Sequence, residues 1–285
     1  MSAALEVIDV SLSFGGVRAV DHCSLKVEAG SITGLIGPNG AGKTTLFNII
    51  AGLYRPDAGR ILLDGEDITG LPAHVLFHRG LVRTFQIPHA FTSMTALENL
   101  MVVPPHQPGE SLLATWFRPS LVRDREAEVR ARAREVLDFL NLSHVMHEAA
   151  GNLSGGQKKL LELGRTMMTE ARIVLLDEIA AGVNRTLLKE LLAAIRRLNR
   201  EADYTFFVIE HDMDMIGALC DPVICMVRGR VLRTGTLAEL RKDPRVIEAY
   251  FGGDPMGEPH AVSLEAAAKE SAPSAAPGTQ REGRA

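Results

Sequence analysis

The stretch Gly37-Pro38-Asn39-Gly40-Ala41-Gly42-Lys43-Thr44-Thr45 constrains this chain more than any other, because it fits the spacing G-x-x-x-x-G-K-[ST] and lies between an apolar run and a helical pattern. Residues 31–37 read as a buried strand, and residues 44–51 have the apolar spacing of a helix. Strand, glycine-rich turn and helix start together make an anion cradle. The glycines permit a tight loop whose amide N–H groups face inward, and the helix dipole adds to their field. Gly37, Asn39, Gly40, Ala41, Gly42, Lys43, Thr44 and Thr45 are therefore expected to wrap the phosphates of a nucleotide, with Lys43 as a point charge on the β- and γ-phosphates and the Thr44 hydroxyl on Mg²⁺.

Arg172-Ile173-Val174-Leu175-Leu176-Asp177-Glu178 is an apolar strand ending in two carboxylates, which alternate faces and so can do different work. Beside a phosphate loop, Asp177 is expected in the Mg²⁺ shell, and Glu178 is expected to orient and activate the attacking water. Between the two motifs stands Leu153-Ser154-Gly155-Gly156-Gln157. Gln86 ends the strand pattern RTFQ, and His211 ends TFFVIEH. A lone Gln or His says little; their places relative to the other motifs make both candidate catalytic residues with Lys43 and Glu178.

At 285 residues and 46% hydrophobic, the chain can bury a full core as one large domain or two modest ones. A net charge of −4 supplies no overall basic excess, so nucleic acid is disfavoured as a partner. No window approaches the roughly 18 to 20 uninterrupted apolar residues that cross a bilayer, and the N-terminus has Glu6 rather than a basic region ahead of an apolar stretch. A soluble, cytoplasmic chain is expected unless a partner holds it at a membrane. Cys23, Cys220 and Cys225 have no metal-ligand spacing and are expected to be inert core thiols in a reducing compartment.

Residues 5–28 alternate apolar and polar, predicting two strands ahead of the phosphate loop; residues 60–65 and 81–85 predict two more. From about 88 to 168 the strand signals vanish, and helical patterns at 96–103, 123–140 and 157–168 predict an inserted helical subdomain. Within it, residues 103–119, with Pro104, Pro105, Pro108, Pro119 and Trp116, are expected to be loop-rich. A buried strand (173–176), a helix (187–200), a second buried strand (205–209) and a strand pair around Arg228-Gly229-Arg230 follow. Buried strands alternating with helices predict an α/β fold. The mixed charges of 123–134 read as a solvated helix face. Residues 1–253 are expected to form the folded domain, and 254–285, poor in large apolar residues, a disordered tail.

The order GPNGAGKTT, Gln86, LSGGQ, LLDE, His211 resembles the ATP-binding-cassette (ABC) transporter ATPases over residues 5–253. The resemblance implies a P-loop nucleoside triphosphatase cassette with an antiparallel β subdomain and an inserted α-helical subdomain, using ATP and Mg²⁺. It implies two cassettes packed head to tail, each ATP between the phosphate loop of one and the LSGGQ of the other. Ser154, Gly155, Gly156 and Gln157 would then present a helix N-terminus to the partner's γ-phosphate. Phe14, in LSFGG, holds the position where the family stacks an aromatic on adenine, worth on the order of 1 kcal/mol, and Val20 the apolar position beside it; core packing is the alternative for Phe14. His211 looks like the switch histidine that contacts the γ-phosphate, and Gln86, a candidate Mg²⁺ ligand, like the residue that links metal and water to a membrane-facing groove. One departure stands out: the family's usual proline after the catalytic glutamate is here Ile179. That frees φ and restores a donor, and is expected to loosen the loop that communicates across the dimer.

GLVRTFQIPHAFTSMTALENLMV, the proline-rich insertion, VIEHDMDMI and DPRVIEAYFGG are similar to the larger ATPase subunit of branched-chain amino-acid (Leu/Ile/Val) uptake systems. Such subunits work at the cytoplasmic face of the inner membrane beside a second ATPase and two permeases, and indirectly with a periplasmic or extracellular binding protein. Relatives of this architecture carry urea, amides or aromatic acids, and the ATPase does not touch the cargo. A lipopolysaccharide-export ATPase is not expected to show this RTFQ context and long insertion. A soluble nucleic-acid-linked ATPase would more often show two cassettes or a coiled coil, and a non-catalytic cassette would lack Glu178 or His211. Ile87, Phe91, Met94 and Leu97 are expected to be exposed or half-exposed in a groove for a short permease helix; the alternative is that they pack the subdomain core.

Overall fold

A computed structural model describes residues 3–84, 90–105 and 107–251. The alternating start of the chain forms an antiparallel hairpin, β1 (Ala3–Phe14) and β2 (Val17–Glu28). The wholly buried β3 (Ile32–Ile36) leads through the phosphate loop into α1 (Lys43–Ile50). With β4 (Ala58–Leu63) and β5 (Glu66–Asp67) the hairpin completes a four-stranded antiparallel sheet, ordered β2-β1-β4-β5. Next come α2 (Ala73–His78) and β6 (Leu81–Arg83). Between β6 and β7 (Ile173–Asp177) every named element of the described residues is helical: α3 (Ala96–Met101), α4 (Leu112–Phe117), α5 (Pro119–Phe139), α6 (Gly155–Met167) and three 3₁₀ turns. The chain continues as α7 (Arg185–Ala202), β8 (Thr205–Ile209), α8 (Met213–Leu219), β9 (Val223–Val227), β10 (Arg230–Gly235), α9 (Leu237–Leu240) and α10 (Pro244–Phe251).

The second sheet is ordered β10-β9-β3-β8-β7-β6 and is parallel except for the β9–β10 hairpin. Its central strands are apolar on both faces, as a sheet covered on both sides requires. Successive side chains alternate between faces. Val174, Leu176, Phe206 and Val208 pack in one core with residues of α3, α5, α6 and α7, whereas Ile173, Leu175, Phe207 and Ile209 pack in a second with α1 and the antiparallel sheet. α1 is thus sandwiched, and its Phe47 ring lies 4.9 Å from that of Phe207. In the helical segment, Gly164 of α6 lets α3 and α5 come close, since a Cβ there would lie 2.8 Å from Leu140 Cδ1.

The proline-rich stretch differs from expectation. It contains a 3₁₀ turn at Pro108–Glu110 and helix α4, and Pro119 opens α5 ahead of the charged pattern. Proline suits a first helical position, where its missing N–H has no partner to lose. Helices α8, α9 and α10 are too short to show a period, and the first two are set by polar caps, Asp212 and Thr236. The three cysteines are buried and free, and burial pushes Cys23 and Cys220 up to about 12 and Cys225 to about 11. They are unreactive thiols at neutral pH. The expected tail, 254–285, lies outside the described residues, as does the end of the fourth predicted strand at residue 85.

Candidate functional site

Parallel strands place their following loops at one edge of a sheet, and here β3, β6, β7 and β8 deliver the phosphate loop, Arg83, Asp177 with Glu178, and His211 to the same edge. At Gly37 (φ 157°) a Cβ would lie 2.1 Å from the Met226 carbonyl oxygen, and at Gly42 (φ 94°) 2.3 Å from that of Ala19. Any side chain at either end would push the loop off its seat. α1 starts at Lys43 with no side-chain cap and no acidic residue in its first turn, which leaves the first-turn amides for an anion. Asn39, Gly40 and Thr44 are exposed at the rim, Thr45 is half-buried and Ala41 is buried beneath.

Lys43 is buried, and its Nζ donates to the carbonyls of Gly37 at 2.7 Å and Pro38 at 3.1 Å. Burial holds the ammonium below the ordinary lysine range, opposed by the nearby Glu178 and Asp177 carboxylates. Behind the loop, the Tyr250 phenol of α10 is hydrogen-bonded to the Gly37 backbone. The last described helix therefore braces the first glycine of the phosphate loop, a contact that no motif announces.

Asp177 is buried at the end of β7, and Arg83 donates from one guanidinium nitrogen to its Oδ2 at 2.7 Å and from the other to the Asn48 side-chain oxygen. Arg83 ties the acidic strand to α1; its one trace in the sequence is an arginine inside the apolar run LVRTF. Glu178 follows in the left-handed region at φ 49°, with its N–H donating to Ile209 O at 3.0 Å, and its Oε1 lies 2.9 Å from His211 Nε2. The two expected catalytic side chains are thus in direct contact across β7 and β8. An exposed Thr44 hydroxyl and the Asp177 carboxylate form the all-oxygen donor set that Mg²⁺ prefers, and they fit that ion. Gln86, expected as both catalytic residue and metal ligand, lies outside the described residues.

Phe14 is 48% exposed at the hairpin tip and makes a T-shaped contact with the Tyr54 ring at 5.3 Å. Val20, expected beside Phe14, lies beneath the surface. It has no exposed surface and packs in the β core, on the inner face of β2. Ser154 and Gln157 form a capping box at the start of α6, with the Ser154 hydroxyl accepting from Gln157 N and the Gln157 side chain accepting from Ser154 N. The Gln157 side-chain oxygen is thus engaged in shaping the helix start. Gly155 is exposed, whereas Gly156 is buried against Leu187.

Two residues that no motif marks flank Glu178. Lys159 of α6 reaches the backbone after β7, and the buried Glu210, just before His211, reaches it from the other side. Farther out, Phe91 is 47% exposed, with the Arg165 guanidinium 5.4 Å from its ring centre, and Met94 is half-buried. Leu97 corrects the expectation, since it is 4% exposed and belongs to the core; Ile87 lies outside the described residues. An open groove of about 850 Å³ is lined by Met94, Leu97, Met101, Val102, Gly109 and Arg130 among others.

A family model described as "ABC transporter" matches residues 20–181, and one described as "Branched-chain amino acid ATP-binding cassette transporter" matches residues 230–255. The chain is 42% identical over 248 residues to the high-affinity branched-chain amino acid transport ATP-binding protein BraF of Pseudomonas aeruginosa, covering 87% of this chain and 97% of that one. It is 38% identical over 252 residues to the probable branched-chain amino acid transport ATP-binding protein LivG of Archaeoglobus fulgidus, covering 87% and 95%. Among solved structures, a nucleotide-free ATP-binding cassette from an ABC transporter superposes with a TM-score of 0.76 at 36% identity, covering 88% of this chain and all of that one. A similar cassette in its ADP conformation gives 0.76 at 36%, covering 89% and 100%.

Proposed function

The chain belongs to the ABC transporter ATPase family, and from that premise we propose that it is the larger ATP-hydrolysing subunit of an importer for branched-chain amino acids. The observation that carries the cargo class is the match at residues 230–255, which covers α10 and its Tyr250 brace, together with end-to-end similarity to BraF and LivG. Its partners are a second cassette, two permeases and, through them, a substrate-binding protein. Among the described residues no helix is long and apolar enough to cross a membrane, and we place the subunit peripherally on the cytoplasmic face.

In this reading Lys43 leaves its own loop carbonyls for the β- and γ-phosphates, and the first-turn amides of α1 hold the same oxygens. Thr44 and Asp177, with Gln86, would hold Mg²⁺, which supplies positive charge to the phosphate oxygens. Glu178 takes the proton of the water that attacks the γ-phosphorus as the bond to the ADP oxygen breaks, and His211 fixes the carboxylate at 2.9 Å. Phe14 stacks on the adenine. Reconstituted with its permeases and binding protein, the transporter is expected to hydrolyse ATP faster, and to take up leucine, when the binding protein is loaded with leucine. Stimulation by urea, amides or aromatic acids instead would overturn the cargo.

Ser154 and Gly155 serve the partner's ATP, since both residues are exposed at the α6 N-terminus. Gly155→Asp tests this without a folding defect, because the nearest atom to a Cβ there is Gly182 O at 3.6 Å. The assembled transporter should lose ATPase activity while the isolated chain keeps its stability; full activity would sink the trans role. Gly156→Ala is different in kind, since its Cβ would fall 2.4 Å from Leu187 Cδ1, and it should lower the melting temperature of the isolated chain.

The groove at α3 receives a permease helix, and the exposed Phe91, three residues before the groove-lining Met94, extends that contact. Phe91→Glu should abolish co-purification with the permeases and leave ATP binding by the isolated chain intact, because the ring is half out of the core. Retained permease association would remove Phe91 from the interface.

A further inference from the structure

The loop that follows the catalytic carboxylate lacks the proline that would fix its φ, yet it is held from two sides. From α6, Lys159 Nζ donates to the carbonyls of Glu178 at 3.1 Å and Ile179 at 2.7 Å. From the end of β8, Glu210 Oε1 accepts the Ala180 N–H at 2.8 Å, and its Oε2 accepts the His211 N–H at 3.2 Å. The Ile179 side chain, 8% exposed, packs into the core between them.

We propose that Lys159 and Glu210 act as a clamp on Glu178, Ile179 and Ala180 that aims the Glu178 carboxylate, making them positioning residues for hydrolysis. Three observations converge on this. Glu210 is 4% exposed, and a buried carboxylate is costly unless its oxygens are engaged; both of its oxygens accept N–H groups of the two segments that carry Glu178 and His211. Burial raises its pKa and lowers that of Lys159, so both charged side chains are drawn out of water in order to reach backbone. Finally, Glu178 sits at positive φ, a conformation that persists where its surroundings over-determine it. The lysine also has a second consequence. It stands on the helix whose first turn faces the partner's ATP, so a shift of α6 on dimer closure moves a donor bonded to the carbonyl of this chain's own base.

The inference rests on the reading of Glu178 as the base, and a double-mutant cycle separates the two. ATP affinity and single-turnover hydrolysis are measured on the assembled transporter for Lys159→Met, Lys159→Arg, Glu210→Gln, Glu178→Gln and Lys159→Met with Glu178→Gln. Lys159→Met should slow hydrolysis roughly tenfold to a hundredfold with ATP affinity unchanged, in the range that misplacement of a reacting group costs. Lys159→Arg, which keeps the donors, should restore most of the rate. On the Glu178→Gln background, Lys159→Met should have no further effect. A wild-type rate for Lys159→Met, a parallel loss of ATP affinity, or the same slowing on both backgrounds would overturn the clamp. Near-normal turnover of Glu178→Gln alone would overturn the base instead. If Lys159→Met does not fold, Glu210→Gln carries the test: slowed hydrolysis with unchanged affinity supports the clamp, and a normal rate overturns it.

Discussion

Glu178→Gln is expected to leave ATP binding nearly intact and to remove most hydrolysis, by the roughly 10²- to 10⁴-fold that a positioned base contributes. The substitution keeps the shape of the side chain, and the backbone bond from Glu178 N to Ile209 O does not depend on it. The amide can still meet His211 Nε2, which lies 2.9 Å from the present Oε1, so the site keeps its form and loses its proton acceptor. An ATP-bound dimer should accumulate. Titration of ATP and steady-state turnover on the purified complex check this, and near-normal turnover would remove Glu178 from the role of base.

The second large effect is the contrast between Lys43→Ala and His211→Ala. Lys43 is enclosed by its own loop and bonds two of its carbonyls, so its loss removes both a charge for the phosphates and a tie that shapes the cradle. A charge-assisted hydrogen bond is worth about 1.5–3 kcal/mol, so ATP affinity should fall roughly tenfold to a hundredfold, and activity should vanish. His211 is half-exposed and touches Glu178 rather than the cradle, so His211→Ala should abolish hydrolysis with little change in ATP affinity. Equal losses of affinity in the two variants would show that His211 supports the loop.

The residues legible in the sequence are those whose chemistry demands fixed local spacing. A phosphate loop needs its glycines and lysine within nine positions, and the acidic pair must end an apolar strand, so both could be placed before any fold was known. The contacts that complete the site join distant segments and leave no local pattern. Arg83 meets Asp177 across 94 positions, Ala180 meets Glu210 across 30, and Tyr250 reaches Gly37 from the last described helix. Val20 shows a different limit: the resemblance assigns it a place beside the adenine, while the alternation of β2 turns it into the core. The missing proline at Ile179, taken alone, predicts a looser loop. The restraint that replaces it comes from α6 and β8, which only the fold brings together.

The position of β3 bears on how the protein is made. The strand that launches the phosphate loop is synthesised long before its sheet partners, with Ile32 pairing with Phe206 and Gly34 with Val223. A nascent chain that has exposed its whole phosphate-loop motif still lacks both neighbours of β3, the Met226 carbonyl that seats Gly37 and the Tyr250 that braces it. Such long-range pairing folds slowly and leaves an apolar strand open to wrong partners in the meantime. An interrupted synthesis product would therefore carry the nucleotide motif without a working cradle.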